Sequence, residues 1–220
     1  MSSFLFPQFC VLQFSKSPHL GKVKTRLAPA LTEEQRNILH SKMTQWVCSQ
    51  VNASKLAEHQ LWVDGDLNHP LFTELCEQYG LNCFQQEGES LGQKMFAALS
   101  KNIQVFQGVF LIGSDCPFLS PEFLLSAMKA LQDSDAVIAP ACDGGYVLLG
   151  LKTAPISVFS DMPWGGPQVC ELSLQRLKSL QLKVVELPTL TDIDRPEDLR
   201  SLSTEGLPEE LRALSAFGKN

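Results

Sequence analysis

A chain of 220 residues, 44% of them hydrophobic, is long enough for one α/β domain with a buried core, and this composition argues against disorder. The net charge of −6 and the pI near 5.2 argue against a nucleic-acid partner, because such a partner requires a strongly basic face. The seven cysteines are odd in number and contain no Cys-x-x-Cys pair, which is typical of reduced cytoplasmic thiols rather than of a disulfide framework or a zinc site.

The N-terminal segment predicts no export signal. Residues 1–14 are apolar, but no basic residues precede the apolar run, and Pro7 and Gln8 interrupt it. No apolar run approaches the length of a membrane span. We therefore expect a cytoplasmic protein without a membrane span. The four histidines are scattered without ligand spacing and are expected to be structural or solvent-facing.

Short apolar runs alternate with helical patterns along the chain, which is typical of βα units around a largely parallel sheet. The predicted strands cover residues 9–14, 61–63, 82–85, 109–112, 136–139, 146–151 and 183–187. Helices are predicted over residues 32–51, 70–79 and 168–180, from residue 91, from residue 121, and twice near the C-terminus. Without a linker, an internal repeat or a low-complexity stretch, residues 1–220 are expected to form a single domain.

Asp115 follows the strongest predicted strand. Val109–Ile112 is a continuous apolar run bounded by Gly113, which indicates a strand buried on both faces. Ligands of open α/β sheets bind just beyond the carboxyl ends of such strands. Asp115 is therefore placed to hold a hard cation against a phosphorylated substrate. The local sequence equally allows Asp115 or Ser114 to cap the following helix.

The loop after the first strand is basic in an otherwise acidic protein. Lys16, Lys22, Lys24 and Arg26 lie within eleven residues around Gly21. Backbone amides near a glycine and a bidentate guanidinium suit a diphosphate. Neither a Walker loop nor a Gly-x-Gly-x-x-Gly motif is present. The alternative is an ordinary solvated basic loop.

Three further segments carry candidate chemistry. Asp143, before Gly144-Gly145, could orient a sugar hydroxyl or act as a base, although Asp-Gly is also a common turn. Asp192 and Asp194 could complete a metal shell with Asp115, although Asp194 also suits the start of a helix. The segment 163–166, which contains Trp164, is either a lid over a substrate or a surface turn.

Together these segments resemble the bacterial DUF2064 proteins, also called the selenodomain-associated transferase 1 family, which is glycosyltransferase-A-like. The matching motifs span residues 9 to 202 and are Gly21-x-Val23-Lys24-Thr25-Arg26-Leu27, Leu91-Gly92-x-x-Met95, Gly113-Ser114-Asp115-Cys116-Pro117, Asp143-Gly144-Gly145-Tyr146, Trp164-Gly165 and Asp192-Ile193-Asp194-x-Pro196-Glu197-Asp198-Leu199. Two positions depart from the family pattern: Leu20 replaces the usual proline, and Gly166 replaces a threonine.

The resemblance implies an α/β, single-domain glycosyltransferase-A (nucleotide-diphospho-sugar transferase) fold with a mixed, mostly parallel sheet flanked by helices. It also implies that Asp115 takes the place of the metal-binding Asp-x-Asp motif. The second metal ligand maps onto Asp194, with Asp192 as the alternative position. Lys24 and Arg26 map onto the positions that hold nucleotide phosphates.

We predict a metal-dependent, glycosyltransferase-like enzyme that uses a nucleotide-diphospho-sugar donor. Mg²⁺ or Mn²⁺ on Asp115 and Asp194 would neutralise the diphosphate leaving group. Asp143 would position or deprotonate the acceptor. The other predicted site residues are the phosphate-binding Gly21, Lys24 and Arg26, and the acceptor-loop residues Gly144, Gly145 and Trp164.

Two alternative functions are compatible with the same fold. One is a nucleotidyltransferase that releases pyrophosphate from a nucleoside triphosphate, with the same metal ligands. The other is a nucleotide-binding protein without catalysis, which Gly166 and the single aspartate of Ser114-Asp115-Cys116 leave open. The base, the sugar, the acceptor, the stereochemical outcome and the oligomeric state are not determined by these motifs.

Overall fold

The computed structural model describes residues 4–19 and 21–216 and contains a seven-stranded mixed sheet. Leu20, one of the two departures from the family pattern, lies outside the described residues. The strands are β1 Phe9–Lys16, β2 Glu58–Asp64, β3 Asn82–Gln85, β4 Gly108–Gly113, β5 Ala136–Pro140, β6 Tyr146–Leu151 and β7 Val184–Glu186. The α-helices are α1 Glu33–Ser54, α2 Pro70–Tyr79, α3 Leu91–Asn102, α4 Pro121–Gln132, α5 Val169–Ser179 and α6 Glu209–Leu214.

The strand order is β3-β2-β1-β4-β6-β5-β7. Strands β1 to β4 run parallel to one another, whereas β6 runs antiparallel to both β4 and β5. Strand β7 pairs with β5 in parallel. The predicted fold class, a mixed and mostly parallel sheet flanked by helices, is confirmed.

Strand β4 is buried on both faces, as its apolar run predicts. Val109 and Leu111 pack in the core cluster that contains residues of α3 and α5, while Phe110 and Ile112 pack in the cluster of α1 and α4. This alternation follows from the two-residue period of a strand. Helices therefore cover both faces of the sheet and leave the carboxyl ends of β1 and β4 accessible.

The C-terminal segment is anchored beside the end of β4. The side chain of Ile193 is fully buried in a cluster with residues of α1, α6 and a short 3₁₀ helix at Pro196–Ser203. Its backbone N–H donates to the Asp115 carbonyl at 2.9 Å. This anchor places the acidic residues on either side of Ile193 near the central strand. The first of the two predicted C-terminal helices is this 3₁₀ helix. Within the described residues, no helix has both the length and the apolar character needed to cross a membrane.

Buried His59 on β2 makes stability depend on pH. Asn52 Nδ2 donates to its Nδ1 at 2.8 Å, and Nε2 is buried with no hydrogen-bond partner among the described residues. Burial lowers the pKa of His59 from 6.5 to about 3, so the unfolded chain binds a proton that the folded chain does not. The contribution of His59 to stability is therefore complete above pH 6.5 and is lost as the pH falls toward 3.

We expect the free energy of unfolding to drop by about 2 kcal/mol between pH 7 and pH 5 because of His59 alone. Urea unfolding at the two pH values measures the drop. The matched variant His59→Gln keeps a hydrogen-bond acceptor for Asn52 but does not titrate, so its drop should be smaller by that amount. An identical pH dependence of both proteins would show that His59 is not the cause.

Candidate active site

A cleft of about 590 Å³ lies at the carboxyl ends of β1, β2 and β4, where ligands of parallel sheets bind. It brings together predicted site residues from five separate chain segments, namely Lys24, Arg26, Asp115, Asp143, Gly145, Trp164 and Asp194. Lys16 and Lys22 of the basic loop also line it. Gly21 and Gly144 lie outside its lining, and both have left-handed backbone conformations, with φ of 75° and 90°.

Asp115 faces the cleft and does not cap a helix. The N-cap of α4 is Ser120, whose hydroxyl accepts the N–H of Phe123. Ser114 is also not a cap, because its buried hydroxyl donates to the Phe14 carbonyl at 2.9 Å and so ties β4 to β1. The capping alternative for both residues is wrong. The Asp115 carboxylate is left 46% exposed to the cleft.

Lys24 is the closest cation to Asp115. Its Nζ lies 2.9 Å from Asp115 Oδ1 and donates to the Ile193 carbonyl at 2.5 Å, and the side chain is only 3% exposed. Loss of surrounding water acts to raise the pKa of Asp115, but Lys24 and His40 together lower it below its ordinary value. The backbone of Lys24 is left-handed, with φ of 51°, which is uncommon for a residue with a side chain. The basic loop is therefore folded so that one ammonium is buried against the central strand.

Arg26 connects two other segments across the cleft. Its Nη1 lies 2.7 Å from Asp194 Oδ2, and its Nη2 donates to the Gly165 carbonyl at 3.2 Å. Asp198, and not Asp194, accepts the backbone N–H groups of Asp194 and Arg195 at the start of the 3₁₀ helix. The Asp194 carboxylate is consequently available to the cleft.

Asp143 adopts the turn that its sequence allows and also lines the cleft. Its Oδ1 accepts the N–H of Gly145 at 2.8 Å. Gly144 packs against the start of α5, where its carbonyl accepts the N–H of Cys170 at 2.9 Å. A Cβ at Gly144 would lie 2.0 Å from the Pro167 carbonyl oxygen. This close approach requires glycine.

Gly144→Ala is expected to destabilise the protein by about 3 kcal/mol, because the new methyl group clashes with backbone and the left-handed φ disfavours alanine. Gly206→Ala is the matched control. Gly206 has a similar φ of 96°, but a Cβ added there would meet nothing within 4 Å, so only about 1 kcal/mol of backbone strain should appear. Chemical denaturation of both variants measures the difference, and equal losses would exclude the clash.

The loop at 163–166 is docked against α3. A Cβ at Gly92 would lie 2.8 Å from Trp164 Nε1 and 2.5 Å from the Phe159 carbonyl oxygen. Together with the contact of Arg26 to Gly165, this packing holds the half-buried Trp164 at the wall of the cleft. The Leu91-Gly92 motif thus has a packing role that its sequence alone does not reveal.

His40 is a cleft residue that the sequence does not identify. Its Nε2 lies 2.8 Å from the Lys16 carbonyl, and its Nδ1 lies 4.0 Å from Asp115 Oδ1. Burial lowers the pKa of His40, although the nearby Asp115 carboxylate acts to raise it. Asp64, Gln86 and Lys94 also line the cleft without a sequence signal. Cys116 is buried beside Asp115, and burial raises the pKa of its thiol to about 12.

The Asp192 carboxylate near the cleft lies among other negative charges. Burial, followed by repulsion from Asp143, raises the pKa of Asp192 to about 6, and Asp115 adds to this repulsion. Asp115 and Asp194, the two predicted metal ligands, are each paired with a cation of the basic loop. Among the described residues, no group of three or more His, Cys, Asp or Glu side chains is arranged to hold a metal ion.

Comparison with protein families matches residues 47–166 to the family described as "Uncharacterized protein conserved in bacteria (DUF2064)". A 2-phospho-L-lactate guanylyltransferase from Methanocaldococcus infernus is 25% identical over 137 residues, which are 62% of this chain and 59% of that protein. This chain therefore spans less than two thirds of the length of that curated relative.

Two solved structures have the same fold. A provisionally assigned nucleotide-diphospho-sugar transferase from Desulfovibrio desulfuricans G20 is 28% identical with a TM-score of 0.85, over 97% of this chain and 98% of that one. A 4-diphosphocytidyl-2C-methyl-D-erythritol synthase from Anaerococcus prevotii DSM 20548 is 14% identical with a TM-score of 0.59, over 87% of this chain and 94% of that one. At 14% identity the second similarity concerns the fold alone.

Proposed function

Because the chain belongs to the DUF2064 family, as residues 47–166 show, we propose that it is a nucleotidyltransferase, which transfers a nucleoside monophosphate from a nucleoside triphosphate to an anionic acceptor and releases pyrophosphate. The observation that carries this proposal is the cleft that Lys16, Lys22, Lys24 and Arg26 line together with Asp115. Four cations suit the charge of a triphosphate. The guanylyltransferase relative supports the same reaction class.

The geometry of Asp143 favours nucleotidyl transfer over the glycosyl transfer that the motifs predicted first. A sugar hydroxyl needs a base to accept its proton, whereas the oxygen of an anionic phosphate or carboxylate acceptor carries no proton to remove. The Oδ1 of Asp143 is already used in the turn to Gly145. Asp143 therefore serves better as a positioning residue of the loop than as a general base.

Glycosyl transfer is the second candidate function. It is supported by the Desulfovibrio desulfuricans structure, which matches this chain over nearly its full length. Both candidates require a nucleotide diphosphate group in the same cleft. They differ in the bond that breaks, which lies between phosphates in one case and between sugar and phosphate in the other.

A divalent cation fits the donor set of this cleft. Mg²⁺ is typically bound by one or two carboxylates together with substrate phosphates, so three protein ligands are not required. Asp115 would be one ligand, and Asp194 or Asp192 of the C-terminal segment the other. The raised pKa of Asp192 supports this fit, because it reflects burial and an excess of negative charge. The ion, Mg²⁺ or Mn²⁺, would neutralise charge that develops on the pyrophosphate leaving group.

The protein side chains have distinct parts in this proposal. Lys24 keeps Asp115 ionised and shares its positive charge with the phosphates. Arg26 is 45% exposed and binds a phosphate with the N–H groups that do not contact Asp194 and Gly165. The left-handed backbone of Gly21 permits the turn that brings Lys22 and Lys24 to the cleft. Gly144, Gly145 and Trp164 shape the acceptor side of the cleft.

The test is product analysis with nucleoside triphosphates and nucleotide-sugars, each supplied with Mg²⁺ or Mn²⁺ and a panel of phosphorylated and carboxylated acceptors. Pyrophosphate release in equal amount to a new nucleotidyl ester is the expected result. Release of nucleoside diphosphate from nucleotide-sugars alone would establish glycosyl transfer instead. Nucleotide binding without either product would indicate a binding protein.

The rate of an Asp143→Asn variant distinguishes nucleotidyl transfer from glycosyl transfer. Asparagine retains an oxygen that accepts the Gly145 N–H, so the turn is preserved while the charge is removed. A nucleotidyltransferase should keep its rate within about 10-fold, whereas loss of a general base costs about 100-fold to 10,000-fold. Steady-state rates measure this. A 100-fold loss would contradict a positioning role for Asp143.

A further inference from the structure

An acid–base pair lies in the cleft away from Asp115. Lys94 Nζ of α3 lies 2.7 Å from Asp64 Oδ1 at the end of β2, and the two side chains are 17% and 31% exposed. Both residues line the cleft. Neither has a part in the phosphate chemistry described above. The pair offers a carboxylate acceptor directly beside an ammonium donor.

The surroundings of this pair suit a flat, partly apolar ring. Leu91 precedes Lys94 by three positions in α3, so both lie on one face of the helix, and Leu91 is 46% exposed although it is apolar. Gln86 forms part of the cleft lining here, and its side chain is buried. Its Nε2 donates to the carbonyls of Trp62 and Ser15, which leaves the amide oxygen to accept a further bond.

The pair lies at a suitable separation from the phosphate site. Lys16 pairs with Asp64 across β1 and β2, and β1 separates β2 from β4, which ends near Asp115. Two strand spacings amount to about 10 Å. A ribose attached to a base bridges such a gap. The same cleft therefore accommodates phosphates at β1 and β4 and a base at β2 and β3.

We propose that Asp64 and Lys94 select guanine as the base of the nucleotide. This inference rests on the proposed function and adds the identity of its nucleotide substrate. Guanine presents two neighbouring donors, N1–H and the N2 amino group, beside the acceptor O6. The two oxygens of Asp64 accept the donors, and Lys94 donates to O6. Leu91 contacts the face of the ring.

The other bases form fewer hydrogen bonds with Asp64 and Lys94 than guanine does. Adenine and cytosine each present one amino group beside a ring-nitrogen acceptor, and uracil presents one N–H between two carbonyl oxygens. Each would offer the half-buried Asp64 one donor where guanine offers two. A binding site built to hydrogen-bond a group rejects analogues that lack it, because its own polar atoms are left unpaired.

Calorimetric titration of the full chain with nucleoside triphosphates and Mg²⁺, in the absence of an acceptor, tests the proposal. We expect GTP to bind at least about 100-fold more tightly than ATP, CTP or UTP. Inosine triphosphate lacks only the N2 amino group and should bind about 10-fold more weakly than GTP.

Asp64→Asn adds a test that does not depend on catalysis. Asparagine offers one acceptor and one donor, so it matches xanthosine triphosphate, which carries O2 in place of the amino group. We expect the variant to prefer xanthosine triphosphate to GTP. Asp66→Asn is the matched control, because Asp66 is exposed in the next loop and its carboxylate accepts the N–H of Asn68. The control should retain the preference for GTP.

The outcomes distinguish this inference from the proposed function. Equal affinity for the four common nucleotides, or an Asp64→Asn variant that still prefers GTP, overturns the guanine assignment and leaves nucleotidyl transfer in place. A preference for GTP without pyrophosphate release overturns nucleotidyl transfer and leaves the base assignment in place. Absence of binding by every nucleotide overturns both.

Discussion

Asp115→Asn is expected to lower the rate of pyrophosphate release about 1,000-fold. Asparagine has nearly the same shape but lacks the negative charge that a divalent cation and Lys24 both require. Lys24, whose side chain is only 3% exposed, loses its counter-ion at the same time. Steady-state rates and calorimetric titration with Mn²⁺ and a nucleotide measure the loss. Asp133→Asn, at the exposed C-terminal end of α4, is the control and should leave both quantities unchanged.

A wild-type rate or an undiminished nucleotide affinity in Asp115→Asn would refute the role of this carboxylate. Thermal unfolding shows whether Asp115→Asn is also less stable, and so separates a folding defect from a loss of rate and affinity at the site. If the variant is destabilised because the Lys24 ammonium is left unpaired, the double variant with Lys24→Met should recover stability. Its activity should stay low.

Lys24→Met is expected to weaken nucleotide binding about 100-fold. Methionine keeps most of the buried length of the side chain but removes the ammonium that contacts Asp115 Oδ1 and the Ile193 carbonyl. The phosphates lose a cation, and the C-terminal segment loses one of its two bonds to the basic loop, keeping the one between Arg26 and Asp194. Titration with nucleoside triphosphates in the presence of Mg²⁺ gives the change in affinity.

Lys55→Met is the matched control for Lys24→Met. Lys55 also has a left-handed backbone, with φ of 49°, but it is exposed at the end of α1 and does not line the cleft. A loss of affinity in Lys55→Met similar to that in Lys24→Met would attribute the effect to the removal of any lysine charge rather than to the contacts of Lys24. Affinity retained in both variants would show that the phosphates bind elsewhere.

Much of the fold follows from local sequence patterns. The apolar run Val109–Ile112 predicts the central strand, and Thr32 with Gln35 forms the predicted capping box of α1. These features depend on side-chain periodicity and on hydrogen bonds between near neighbours, which a sequence displays directly. The resemblance to DUF2064, which the family comparison confirms, likewise depends on short motifs in order along the chain.

The local sequence left the roles of several residues ambiguous, and packing decides them. Ser120 caps α4, so neither Ser114 nor Asp115 does. The Asp198 carboxylate accepts the N–H of Arg195 at the start of the 3₁₀ helix, so the Asp194 carboxylate is free to pair with Arg26. His40 was expected to be structural or solvent-facing, and it lines the cleft as a buried side chain. The two helix-start hydrogen bonds join residues three apart in the chain, whereas the positions of Asp194 and His40 in the cleft depend on neighbours in space.

The sequence by itself determined the strands, the aspartate at the end of the central strand and the basic loop after the first. Only the tertiary structure decided which charges meet. Arg26 and Asp194 are 168 residues apart in the chain, and the contact of Lys24 with Asp115 requires β4 to lie beside β1. Strand order comes from crossover connections and burial over the whole sheet, which no local pattern encodes. The Asp64–Lys94 pair has the same origin, since it joins β2 to α3 across the open edge of the cleft.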